Sequence, residues 1–176
     1  GASGEWVQKT IYTGGGELIS PAIGDFDPDR PGNEVVAAGT QSGSEDDGNA
    51  GTLIEIYLDG DTWHGEEIFS DDLLIHAVEV GDADNDGEDE IVCGGFTHNG
   101  YIVQKVDGEW NATLIARDDH NLRTAVVMDM DPDHVGNEVL FASKTGRAIE
   151  VWLDGTEWKQ KTLWQENVDG GIARIH

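Results

Sequence analysis

The chain has few basic residues, one cysteine and no long apolar run. Its 176 residues include 36 Asp and Glu but only 10 Lys and Arg, which gives a formal net charge of −26 at pH 7. Nucleic acids and anionic membrane surfaces bind basic patches, so this charge argues against both as partners. No apolar run approaches the ~18 residues of a membrane-spanning helix, so we expect no membrane insertion. The single Cys93 excludes an intrachain disulfide framework and is expected in the core.

Two sequence markers recur with a common period. Acidic segments at residues 25–34, 82–90 and 129–138 each alternate Asp with another residue and end in Glu before an apolar run. Their first aspartates lie 57 and 47 residues apart. A tryptophan series agrees, with spacings of 57, 47 and 48 residues, and consists of Trp6, Trp63, Trp110 and Trp158. Two independent markers with one period indicate internal repeats.

The apolar runs within each repeat are short, rich in Val and Ile and bounded by Gly or Asp, which predicts β-strands. The middle repeat shows four such runs, at residues 76–81, 90–94, 101–106 and 110–116. Asp107-Gly108 predicts a hairpin turn between the last two, and Asp59-Gly60 and Asp154-Gly155 hold the same place in the other repeats. Four antiparallel strands per repeat are typical of a β-propeller blade.

The predicted fold is therefore all-β, with residues 1–176 forming a single propeller-type domain. Its blades are predicted at about residues 20–70, 75–116 and 123–164. Residues 6–12 match a fourth strand and residues 171–176 match the start of a first strand, which gives three complete blades plus one strand at each end. Closed propellers usually have four to eight blades, and open sheet edges are avoided. The chain is thus expected to be part of a larger propeller, or to close a ring by homo-oligomerisation.

The acidic segments have the spacing of a cation-binding loop. In the second segment Asp82, Asp84 and Asp86 alternate, Gly87 permits a sharp turn, and Glu90 follows at position nine, with the Glu88 carbonyl at position seven. Such hard oxygen ligands favour calcium, whereas the acidic segments contain no Cys and little His, which argues against zinc. The alternative is a metal-free turn in which Asp side chains accept backbone amides. The predicted ligands are Asp25, Asp27, Asp29, Glu34, Asp82, Asp84, Asp86, Glu88, Glu90, Asp129, Asp131, Asp133 and Glu138.

The Asp-x-Asp-x-Asp-Gly-x-x-Glu pattern at residues 82–90 resembles the calcium loop of the FG-GAP (or VCBS) repeat family, as found in integrin alpha-chain propellers. The other two segments carry one extra residue before the Glu. They look like loops in the propellers of rhamnogalacturonan lyases and related sugar lyases or dehydratases. The resemblance implies up to three Ca²⁺ ions, an extracellular or cell-surface location, and a calcium-stabilised recognition or scaffold module with a glycan or a protein as ligand.

An enzymatic alternative rests on the end of the propeller opposite the acidic loops. There His76, His98, His120 and Arg123 are predicted to converge at the channel mouth, where a polysaccharide lyase or sugar dehydratase would place a base and a cation. No serine-hydrolase, phosphate-loop or zinc-helix motif is present, so the residues favour a non-enzymatic module.

The tryptophans that recur with the repeats have a different predicted role. Each has a partner six residues on, which should share its face of the strand and pack between blades. These partners are Tyr12, Phe69, Ala116 and Trp164. Trp152 and Trp164 break the repeat and are the candidates for stacking on a sugar.

Overall fold

The computed structural model describes residues 4–14, 16–43 and 48–165. Within these residues the chain forms twelve β-strands and no helix, so none that could cross a membrane. The strands are β1 (Leu18–Gly24), β2 (Glu34–Thr40), β3 (Gly51–Asp59), β4 (Thr62–Asp71), β5 (Ile75–Gly81), β6 (Glu90–Gly95), β7 (Asn99–Val106), β8 (Glu109–Arg117), β9 (Leu122–Met128), β10 (Glu138–Ser143), β11 (Arg147–Asp154) and β12 (Glu157–Gln165).

The strands form three separate sheets of four. β1–β4 make the first sheet, β5–β8 the second and β9–β12 the third, each in chain order and antiparallel throughout. The predicted all-β fold with four antiparallel strands per unit is confirmed, and the four strands of the middle sheet lie within two residues of their predicted bounds. The described residues do not close a ring.

Two-residue turns join the third and fourth strands of each sheet. In the second sheet Asp107 and Gly108 form the turn with φ of 54° and 82°, a conformation that suits the twist of a hairpin. In the other two sheets Gly60 and Gly155 occupy the first turn position, with φ of 60° and 65°. The preceding aspartates are still paired in the strands, so these turns lie one residue later than predicted.

The core lies between the sheets. Alternate residues of the fully buried β6 pack in opposite directions: Ile91 and Cys93 join a cluster with the first sheet, and Val92 joins a cluster with the third. The first strands of the sheets, β1, β5 and β9, lie next to one another in that order. Burial on both faces explains why β6 reads as a continuous apolar run rather than as an alternating one.

The prediction of a strand at residues 6–12 is wrong. Residues 4–14 form no strand, and Trp6 is fully exposed. A fourth strand bonds only to the third strand of its own sheet, and the described residues before β1 contain no strand that could be this partner. Ile11 and Tyr12 instead pack on the outer face of the first sheet. The first strand predicted at residues 171–176 lies outside the described residues.

The tryptophan partners do not share a face with the tryptophans. A β-bulge interrupts the fourth strand of every sheet at the same place, at Ile68, Ile115 and Leu163. An extra residue reverses the alternation of side chains beyond it. Trp110 therefore packs toward the first sheet, whereas Ala116, six residues on, packs toward the third. Packing between sheets is confirmed for Trp110, but the shared face is not.

Substitution of Leu53 tests the packing between the first two sheets. Leu53 is wholly buried in their common cluster, so Leu53→Ala is expected to lower the unfolding free energy by about 2–5 kcal/mol. Leu58 on the same strand is 53% exposed, and Leu58→Ala should change it by less than about 0.5 kcal/mol. Urea unfolding of both variants checks this. Equal losses would contradict the assigned packing.

Candidate metal sites

Each acidic segment forms the loop between the first and second strands of a sheet. We call residues 25–34 loop one, residues 82–90 loop two and residues 129–138 loop three. The Glu that ends each loop begins the second strand and is buried. Glu90 Oε2 accepts the amides of Ala83 and Asp84 at 3.0 and 3.4 Å. Glu138 Oε2 does the same for residues 130 and 131 at 2.9 and 3.1 Å.

Loop two gathers three carboxylates without a basic partner. One oxygen each of Asp82, Asp84 and Asp86 lie within 4.8 Å of one another, and none of them forms an ion pair within the described residues. Asp82 Oδ1 is buried with no hydrogen-bond partner there. Burial, followed by the charge of Asp86, raises the pKa of Asp84. Burial and the Asp84 charge raise the pKa of Glu90 to about 8.

The backbone of loop two positions these carboxylates. Asp84 Oδ1 accepts the Asp86 amide at 3.2 Å, and Asp86 Oδ1 accepts the Glu88 amide at 2.9 Å. Asn85 and Gly87 adopt left-handed φ values of 66° and 98°, which turn the chain back on itself. The metal-free alternative is thus present in part, because two carboxylate oxygens bond to backbone amides. One oxygen of each aspartate lies within 4.8 Å of the others, a separation that an ion with ligands at 2.3–2.6 Å can bridge, so loop two fits calcium.

Loop one differs because basic side chains fill its centre. Asp27 is wholly buried, and its Oδ1 and Oδ2 both lie 3.0 Å from Lys105 Nζ, a residue of the second sheet. Arg30 donates to Asp27 Oδ2 at 2.7 Å, and Lys105 also contacts Asp29 Oδ2 at 2.9 Å. Burial opposes ionisation of Asp27, but the Asp29 amide and the Lys105 ammonium outweigh it and hold the pKa below its usual value.

Loop three is also neutralised from within the chain. Lys161 Nζ lies 2.7 Å from Asp131 Oδ2 and 3.0 Å from Glu150 Oε2. His134 Nδ1 lies 2.9 Å from Glu150 Oε1. The hydrogen bond from Lys161, with that from the Asp133 amide, lowers the pKa of Asp131 to about 2. Asp131 and Asp27 therefore shift in the opposite direction from Asp84, which holds the equivalent place in loop two. Asp25, Asp129 and Asp133 are exposed.

Loops one and three share an arrangement that loop two lacks. Strand register makes Glu55, Glu150 and Ile102 equivalent, because they pair with Val36, Leu140 and Val92. Glu55 and Glu150 are wholly buried and face Arg30 and His134, the residues that follow the third aspartate of their loops. Burial raises the pKa of Glu55 to about 7, although Arg30 opposes this.

An aromatic ring completes each of these two arrangements. Arg30 lies 3.6 Å above the ring of Tyr57, and the His134 ring stacks on Trp152 at 4.2 Å. The equivalent residue in the second sheet is Gln104, two residues after Ile102. This set of basic side chain, glutamate and aromatic residue was not predicted from the sequence. Its signal was the longer form of loops one and three, where Arg30 or His134 follows the third aspartate, whereas Gly87 does so in loop two.

Each of these aromatic residues lines a cleft beside its loop. The cleft of loop one has a volume of about 650 Å³, and that of loop three about 410 Å³. Eight equivalent residues line each cleft: Asp29, Arg30, Pro31, Asn33, Glu34, Tyr57, Leu58 and Asp59 in one, and Asp133, His134, Val135, Asn137, Glu138, Trp152, Leu153 and Asp154 in the other. Asn85 of loop two also lines the cleft of loop three. Both combine an aromatic wall with carboxylates and an amide.

The four residues predicted at the opposite end form two groups. His76 and Arg123 occupy equivalent β-bulges near the start of β5 and β9, and both pack on Phe96, with Arg123 Cζ 4.6 Å from the ring centre. His76 Nδ1 bonds to the Arg123 main-chain oxygen at 3.0 Å. His98 and His120 form the second group, with ring centres 6.3 Å apart. Catalysis by these residues stays a prediction.

Comparison with protein-family models gives no match for this chain, and neither does comparison with curated proteins.

Titration of Glu90 predicts a specific pH dependence of stability. Its pKa of about 8 in the folded chain exceeds the ordinary 4.5, so the folded state holds a proton that the unfolded chain releases. This contribution is therefore present at low pH and is lost as pH rises from about 4.5 to about 8. In chelator, the free energy of unfolding of the native chain, measured relative to that of Glu90→Gln, should fall as pH rises through this range. Urea unfolding measures it.

The control is Glu88→Gln, an exposed glutamate in the same loop. Its stability relative to the native chain should not vary with pH over this range. A pH-independent difference for Glu90→Gln would contradict the assigned burial of the Glu90 carboxylate.

Proposed function

We propose that this chain is a calcium-stabilised recognition or scaffold module of the β-propeller type, with a glycan or a protein as its ligand. The observation that carries the proposal is loop two, where three aspartate carboxylates converge within 4.8 Å with no basic side chain from the described residues between them. Carboxylates at this distance repel one another unless a cation lies between them. All the candidate ligands in loop two are oxygen atoms, which favours calcium over zinc.

The ion's role would be structural. Loop two joins β5 to β6, so a bound cation would fix the two strands that begin the middle sheet. Loop two also contacts loop three: Asn85 Nδ2 donates to the Asn137 carbonyl at 3.1 Å, and Asn137 Nδ2 donates to the Asp82 carbonyl at 2.8 Å. An ion that binds only the folded loop stabilises the fold by mass action.

The two aromatic clefts support a role in recognition. Tyr57 and Trp152 form aromatic walls in the two clefts, although Arg30 and His134 already lie against one face of each ring, and the neighbouring carboxylates and Asn side chains can bond to sugar hydroxyl groups. The same surface also suits a protein ligand. The adjacent first strands support a propeller-type arrangement, completed by further blades or by other copies of the chain. Abundant calcium outside the cell supports an extracellular or cell-surface location.

Calcium is expected to raise the melting temperature through loop two. At a free concentration of 100 times Kd, binding adds about 2.7 kcal/mol, or roughly 5–10 °C for a chain of this size. Asp84→Asn should abolish the shift because it removes a central ligand. Asp72→Asn, which makes the same charge change at an exposed site at the other end of the sheet, should retain it. Calorimetry in calcium and in chelator tests this, and an unchanged native melting curve would refute calcium binding.

A glycan array in calcium buffer tests the ligand class. If the clefts bind sugar, Trp152→Ala should lose at least tenfold in affinity for any glycan that the native chain binds, because stacking is lost. Trp164→Ala serves as the control, since Trp164 is 46% exposed on β12 and lines neither of the two clefts. Loss of binding in Trp164→Ala alone would place the sugar elsewhere. No binding across the array would favour a protein ligand.

A further inference from the structure

We infer that loops one and three hold side-chain cations in place of calcium, so that the chain binds a single calcium ion, at loop two. The inference rests on the proposed function for loop two. It departs from the expectation of one ion per acidic loop, and it is argued from the groups that occupy the centre of each loop.

In loop one the oxygens that would coordinate a metal are already bonded. Asp27 Oδ1 accepts Lys105 Nζ and the Asp29 amide, each at 3.0 Å. Asp27 Oδ2 accepts Arg30 at 2.7 Å and Lys105 at 3.0 Å. Lys105 is largely buried, with a 10% exposed side chain, and bridges Asp27 to Asp29. Calcium requires six to eight oxygens, and here the central carboxylate has none to give without losing two cations.

In loop three an ammonium group stands where an ion would lie. Single atoms of Asp131, His134 and Glu150 lie within 4.8 Å of one another, which is the spacing of a metal site. Lys161 Nζ contacts both carboxylates of this group, at 2.7 and 3.0 Å, and lies over the Trp152 ring. Two cationic or donor groups thus hold the carboxylates together, as Arg30 and Lys105 do in loop one.

The two buried glutamates give these cations a second carboxylate partner within the fold. A wholly buried carboxylate is costly unless it is paired, and Glu55 and Glu150 are both wholly buried. Arg30 Nε lies 3.5 Å from Glu55, and His134 and Lys161 lie within 3.0 Å of Glu150. In the second sheet Ile102 takes the place of the glutamate, and loop two has no base after its third aspartate. The residues that require an internal cation and those that supply it therefore occur together, or are absent together.

Calcium stoichiometry tests the inference on the full chain. Isothermal titration with Ca²⁺, checked by equilibrium dialysis and elemental analysis, should give one ion per chain. Asp84→Asn should bind none, whereas Asp27→Asn and Asp131→Asn should still bind one, with circular dichroism confirming that each is folded. Two or three ions in the native chain would overturn the inference, and so would loss of the single ion in Asp27→Asn or Asp131→Asn.

A gain-of-site variant separates this inference from the proposed function. Arg30→Gln combined with Lys105→Gln removes both cations of loop one and should add a second calcium ion of weaker affinity. If this variant does not fold, the native stoichiometry decides. If the native chain binds no calcium, the function proposed for loop two is refuted. The double variant then tests loop one independently. Binding of a calcium ion by this variant supports the inference for loop one, and no binding overturns it.

Discussion

Each sheet depends on the burial of a glutamate carboxylate at the start of its second strand, beneath the acidic loop. Glu34, Glu90 and Glu138 are buried, and Glu90 and Glu138 each accept two backbone amides from the loop that precedes them. This pairing ties the first strand to the second and closes the loop around its aspartates. The loop then concentrates negative charge around a buried glutamate. The three loops differ in how this negative charge is neutralised.

The negative charge is neutralised by basic side chains in two of the loops and is left without such a partner in the third, within the described residues. The three aspartate oxygens of loop two lie within 4.8 Å of one another, and two unit charges at that limit repel by about 3.5 kcal/mol at an effective dielectric constant of 20. Loops one and three offset the repulsion with Arg30, Lys105 and Lys161. Loop two leaves it uncompensated, and the opposite pKa shifts of Asp84 and its two counterparts record the difference. Loops one and three are each one residue longer than loop two, and in both a basic residue, Arg30 or His134, follows the third aspartate.

Local patterns predicted most of the fold but not the neutralisation of the loops. Short apolar runs and Asp-Gly turns identified the strands, because both are properties of adjacent residues. The bulges at Ile68, Ile115 and Leu163 could not be predicted, since they depend on pairing with a distant strand. Lys105 lies 78 residues from Asp27, so no spacing rule connects them. The ligand types were readable from sequence, whereas their partners depend on how sheets pack.

The position of the uncompensated loop in the middle sheet has a mechanical consequence. Loop two lies beside both neighbours: Asp89 of the loop lies near Gly24 at the end of β1, where Val80 at the end of β5 leaves no room for a side chain. On the other side Asn85 lies against Gly136 of loop three, whose φ of 96° and lack of space both require glycine. An ion in loop two would therefore fix one surface against which the first and third sheets both pack. A single ion at this position could stabilise both seams, which removes the need for an ion in every loop.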